Sequence, residues 1–134
     1  MNRHLLTMTV LFLLACGAVF GQSNSAKTED EKAIRANVEQ IVNGWNMKSG
    51  AEFAKPFAEN SDYVVINGMH IKGRSAIAKG HQQIFDAIYK DSRVAVTIKQ
   101  MRFLRPDVAV VHSESNLTFK INGEERVKGT VPLR

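Results

Sequence analysis

A histidine stands where a helix should carry a hydrophobe. Between Arg74 and Tyr89 the apolar residues Ile77, Ile84, Phe85 and Ile88 fall at 0, 7, 8 and 11, and the slot at 4 is His81. An imidazole buried without a partner costs about 1–3 kcal/mol. A hollow holding water or ligand beneath that face would remove the cost, and the ordinary imidazole pKa suits proton transfer. A core histidine bonded to a carbonyl meets the same need. Asp62 is the second candidate, as a base or as the group that orients His81, or else as a strand-end cap. Trp45 could wall or lid a hollow with its indole N–H free, and Phe85 and Met69 would add apolar lining. His112 either lines the hollow from a strand or stands in solvent, according to a register the sequence leaves open.

These residues are held by elements whose periodicity is readable. Thr28-Glu-Asp-Glu31 forms a capping box, which predicts a helix starting there. Ile34, Val38, Ile41, Val42 and Trp45 then make one stripe, and Ser49-Gly50 ends it. A short helix over Ala51–Ala58 carries Phe53 and Phe57, with Pro56 tolerable in a first turn or at a kink. Asn67-Gly68 predicts a two-residue type I′ hairpin. It would set Ile66 opposite Met69 and Val64 opposite Ile71, place Asp62 on that apolar face, and turn Tyr63, Val65, His70 and Lys72 to the other. Two long strands follow, Ser92–Leu104 and Val108–Lys120. A loop at Pro106-Asp107 would pair Lys99 with Glu114 and Met101 with His112. The apolar face changes sides along these strands, which calls for a bulge or strong twist. Asn122-Gly123 suggests a further turn, and a strand could begin at Glu124. This is an α+β order, helices laid on antiparallel strands.

Composition narrows the classes. The 134 residues, 44% hydrophobic and 23% charged, fit one domain. The net charge of +5 comes from scattered residues, with no basic run to follow a phosphate backbone, so nucleic acid is not an expected partner. One cysteine excludes an internal disulfide framework, and no Cys/His cluster has zinc spacing, so no metal is expected.

The first segment reads as an address. A basic start, Met1 to His4, precedes the uncharged apolar run Leu5–Ala15, short of the ~20 apolar residues of a spanning helix. Small residues at Val19 and Gly21 would let a signal peptidase release a secreted or periplasmic chain at Gln22. Leu13-Leu14-Ala15-Cys16 alternatively resembles a lipobox, which would anchor the protein through a lipidated Cys16. The expected organisation is a signal peptide over 1–21, a linker over 22–27 and a domain over 28–134.

The segments around Val42-Asn43-Gly44-Trp45-Asn46, Phe53 with Phe57, Asn67 to Arg74, Ile77 with His81 and Phe85, and above all Met101 to His112, resemble the SgcJ/EcaC branch of bacterial SnoaL-like proteins. These belong to the nuclear-transport-factor-2-like superfamily, which also holds ketosteroid isomerase, scytalone dehydratase and limonene epoxide hydrolase. The resemblance spans about Asp30 to Lys120. It implies a cystatin-like, cone-shaped α+β barrel, with three helices on a curved antiparallel sheet around an apolar pocket, often in a homodimer. It also implies a small apolar ligand and, for an enzyme of this kind, proton-transfer chemistry of isomerase, cyclase or dehydratase type. The residues leave open whether the chain is an enzyme, a non-catalytic binding or dimerisation module, or an inactive remnant. Relatives close the cone with two long C-terminal strands, so the resemblance implies that the last of these is missing here, by truncation or with cover from a partner subunit. The branch is often labelled oxidoreductase, yet there is no GxGxxG after a strand, no flavin signature and no redox cysteine, so no cofactor is expected.

Overall fold

In the computed structural model, residues 19–121 and 124–132 are described, with side chains for 26–120. The lipobox reading, the leader reading of 1–21 except for 19–21, and the Asn122-Gly123 turn lie outside the described residues. The chain divides into two compact units, residues 1–33 and 34–134. Helix α1, Val19–Asn46, contributes to both.

In the first unit, helix α1 runs straight through Thr28 rather than starting there. Residues 22–27, expected as a linker, are helical because nothing between Gly21 and Thr28 breaks a helix. The side chains of 26–33 are mostly exposed, and Lys32 and Glu29 form a surface pair at 2.7 Å.

In the second unit the stripe Ile34, Val38, Ile41, Val42 and Trp45 is half-buried throughout, as its spacing requires. The helix ends in a turn with Lys48 in the left-handed region (φ 58°). Helix α2 is only Gly50–Ala54, shorter than expected, because the chain passes into turns before Pro56. Ser49 caps it through its hydroxyl, which accepts from the Glu52 amide at 3.2 Å. Gly44 lets α2 approach α1: a Cβ there would lie 2.1 Å from the Phe53 backbone nitrogen. Helix α3, Arg74–Asp86, buries Ile77, His81 and Phe85. It stops a turn early, so Ile88, counted in the stripe, is 70% exposed.

Strands β1, Asp62–Val64, and β2, His70–Lys72, form a hairpin whose register differs by one residue from the expected one. Tyr63 pairs with Ile71 and Val64 with His70, and the Val65 amide donates to the Met69 carbonyl at 2.8 Å. Three residues, Ile66-Asn67-Gly68, therefore make the loop, with Gly68 alone at positive φ (84°). A slip of one residue exchanges the faces of a strand. Tyr63 and Ile71 turn inward, while Asp62, Val64, Ile66 and Met69 stand in solvent.

Strands β3, Ser92–Arg105, β4, Val108–Ile121, and β5, Glu124–Pro132, make a separate antiparallel sheet in that order. The expected irregularity is present: the register shifts between Ile98 and Gln100 and again between Phe103 and Arg105. The first bulge, at Lys99, lets Val94, Val96 and Ile98 share a face with Met101 and Phe103, which strict alternation would put on opposite sides. It also corrects the pairing, since Met101 sits opposite Val111 and Gln100 opposite His112. Lys99 is left unmatched in the ladder, yet its ammonium still reaches Glu114 at 2.8 Å.

Candidate functional site

The elements of the second unit converge on His81. Its ring lies flat against Phe53, with centroids 3.8 Å apart and planes 19° apart. Tyr63 (5.4 Å), Phe85 (6.0 Å) and Trp45 (6.5 Å) surround it at steeper angles. Only 5% of the residue is exposed. The imidazole is thus walled by rings where a hollow was expected directly beneath it, which is the core-histidine alternative. Helical spacing sets this up: Ile77, His81 and Phe85 follow at intervals of four, and the glycine contact at Gly44 brings Phe53 within stacking distance.

The ring is satisfied on one side and loosely partnered on the other. Nδ1 lies 2.8 Å from the Ile77 carbonyl, an acceptor, so Nδ1 carries the proton and Nε2 presents its lone pair. The Tyr63 hydroxyl faces Nε2 at 3.5 Å, beyond the usual length of an O–H···N bond. Burial holds the imidazole below its ordinary pKa of 6.5, opposed in part by the Ile77 carbonyl, and burial raises the Tyr63 phenol above 10. Both groups are therefore neutral near pH 7.

Trp45 packs edge-on to Phe85 at 5.2 Å and near Tyr89 at 5.1 Å. Its indole N–H, expected to be free, donates to Ser92 Oγ at 3.0 Å, and that hydroxyl donates to the Tyr89 carbonyl at 2.7 Å. Next to it, the Asn46 amide makes both backbone bonds of Val94, at 2.9 and 3.0 Å. Lys48 Nζ donates to the carbonyls of Trp45 and Ser92. Burial lowers the pKa of that ammonium, with the charge of Arg93 adding to the effect. These contacts fix the end of α1 to the start of β3. Beyond them lies a cleft of about 410 Å³ between Val38 and Val42 of α1 and Val96 and Ile98 of β3, with Arg35, Glu39 and Thr97 also lining it.

No family model and no curated protein matches the sequence. Solved structures do. A domain of unknown function with a cystatin-like fold from Nostoc punctiforme is 30% identical, with 77% of this chain and 75% of that one covered and a TM-score of 0.66. A nuclear-transport-factor-2-like protein with a cystatin-like fold from Novosphingobium aromaticivorans is 19% identical, with 81% and 71% covered and a TM-score of 0.69. The chain belongs to the cystatin-like fold family. A candidate scytalone dehydratase from the same Novosphingobium species shares the fold at 14% identity, with 83% and 92% covered and a TM-score of 0.60.

Within this fold the sequence candidates separate into two groups. His81, Trp45 and Phe85 come together, as their place on the two apolar stripes predicts. Asp62, Met69 and His112 do not join them. The Asp62 side chain is 63% exposed and bonded to His70 at 2.7 Å, because the hairpin register turns it outward. Met69 is 54% exposed at the hairpin tip for the same reason. His112 is exposed opposite Gln100, since the Lys99 bulge puts both on the outer face of the sheet. Tyr63 and Phe53 are the residues the sequence reading missed as neighbours of His81. The pattern Tyr63-x-Val65 opposite Ile71 was the available signal for Tyr63, but Asn67-Gly68 outweighed it. Among the described residues, no group of three His, Cys, Asp or Glu side chains could hold a metal ion, and no helix is long and apolar enough to cross a membrane.

Proposed function

We propose that this chain is an exported domain of SgcJ/EcaC type that binds a small apolar molecule. The observation that carries the reading is the cleft between α1 and β3. Its apolar walls are Val38, Val42, Val96 and Ile98, and its size falls within the range of small-molecule sites. Trp45 follows Val42 by three residues on the same helix face and so stands next to the cleft. From there the aromatic cluster leads to His81. The superfamily fold supports the reading, and one structural neighbour bears the name of a dehydratase.

A second reading, proton transfer, is favoured by one contact: the 3.5 Å approach of the Tyr63 hydroxyl to a lone pair on a neutral, buried imidazole. A substrate that gave a proton to the Tyr63 oxygen could drive the phenolic proton onto the His81 Nε2 lone pair, leaving an imidazolium and a neutral phenol. Among the described residues no carboxylate acts on His81, so binding is the reading put first. The test is a panel of apolar ligands titrated against Trp45 fluorescence, with turnover followed in parallel. Val96→Ser and Ile98→Ser should each weaken binding several-fold with the fold intact. Unchanged affinity in both variants would remove the cleft from the site. Turnover that survives in Tyr63→Phe would exclude the proton-transfer reading.

A further inference from the structure

A second and larger hollow, of about 540 Å³, opens between α2 and α3 on residues that the proposed ligand site does not use. Ala51, Ala54 and Ala78 line it with small apolar side chains, and Lys55, Glu59, Arg74 and Ser75 supply its polar groups. The hollow exists because the two helices touch at a glycine: a Cβ on Gly50 would lie 2.1 Å from the Ala78 carbonyl oxygen. The side chains beyond that contact are too small to fill the space.

Arg74 is the group that gives this hollow chemistry. Its Nε donates to the Phe57 carbonyl at 2.5 Å, which fixes the plane of the guanidinium. Its two terminal nitrogens have no partner among the described residues, and neither has the Ser75 hydroxyl. Lys55 is paired with Glu52 at 2.6 Å, so among the described residues lining the hollow Arg74 is the cation without an ion pair. A planar fork with one side anchored and the other unspent matches a carboxylate in two-bond geometry. The three alanines suit a short hydrocarbon chain. Glu59, whose carboxylate also has no partner among the described residues, opposes a bound anion.

We propose that the α2–α3 hollow is a second ligand site, specific for small apolar carboxylic acids, with Arg74 reading the carboxylate and Glu59 limiting the affinity. The proposal is independent of the α1–β3 cleft. The probe is hexanoate, titrated into the full-length chain while backbone amide resonances are followed, with hexanol and acetate as controls. Saturable shifts centred on Ala51, Ala54, Ser75 and Ala78 are expected with hexanoate and not with either control. Arg74→Gln should weaken binding about tenfold, the loss of one charge-assisted pair. Arg74→Lys, which keeps the charge without the fork, should fall between that variant and the native chain. Glu59→Gln should tighten binding, and His81→Leu should leave it unchanged. Hexanol that binds as well as hexanoate, shifts centred on Val96 and Ile98 instead, or native affinity in both Arg74 variants would each overturn the proposal. Circular dichroism of Arg74→Gln checks that a loss of binding is not a loss of fold. If that variant does not fold, the Arg74→Lys and Glu59→Gln affinities decide.

Discussion

The layer around His81 and the outer part of the β3–β4 hairpin solve opposite problems. Around His81 most polar atoms have close partners: Nδ1 of the imidazole takes the Ile77 carbonyl, the indole takes Ser92, and Asn46 takes both backbone groups of Val94, while Nε2 and the Tyr63 hydroxyl meet only at 3.5 Å. Along β3 and β4, Val96, Ile98, Met101, Phe103 and Val111 share one face and stay only half-buried, while Lys99 and Glu114 pair in solvent. The layer is closed at His81 because Gly44 lets the backbones of α1 and α2 meet, so rings fill the remaining space there. The strand face has no such close approach among the described residues, and apolar surface that stays uncovered is what a ligand uses. The first region is packed for stability, and the second, like the α2–α3 hollow, leaves the space that the proposed binding needs.

Four measurements would break or sharpen that division. Phe53→Ala removes the ring that stacks on His81 and should destabilise the domain by about 3–5 kcal/mol in a denaturant titration, as large aromatic deletions from cores do. A cost below about 1 kcal/mol would show that the layer is not closed. Asn46→Ala strands the amide and carbonyl of Val94 and should cost about 1–3 kcal/mol, with the loss concentrated in exchange protection at the start of β3.

The third measurement is of pH. His81 binds its proton less readily folded than unfolded, so the unfolded chain takes up more protons as the pH falls. Its contribution to stability is therefore full above the ordinary imidazole pKa of 6.5, declines as the pH drops below that value, and levels off beneath the folded-state pKa. His81→Leu should flatten this acid limb, and an unchanged limb would assign the slope elsewhere. Tyr63 has the mirror sense, since its raised pKa favours the neutral phenol and its contribution is lost only above the ordinary value of 10. The smallest effect is expected on the strands. Lys99→Gln breaks a pair whose side chains are 52% and 43% exposed and should change stability by no more than about 0.5 kcal/mol, with any change vanishing in high salt.

The helical stripes were legible because a helix repeats every 3.6 residues whatever surrounds it, so Ile77, His81 and Phe85 on one face and Trp45 at the end of another follow from spacing alone. Strand faces were less secure. Asn67-Gly68 as a two-residue turn puts Asp62 inward, and the loop, one residue longer, puts Tyr63 there in its place. His112 could not be assigned to a face until the bulge at Lys99 was known. The hollow between α2 and α3 had no sequence signature, because it is made by what Gly50 permits and three alanines fail to fill.

By itself, then, the sequence determined the α+β class, the order of the elements and the histidine set into an apolar helix face, since these depend on local periodicity and on the composition of each segment. Tertiary structure alone decided which strand residues face inward, that Phe53 rather than a void lies against the imidazole, and where space remains. A period of two gives no warning of a single inserted residue, and the contacts that exclude or leave space form between segments far apart in the chain.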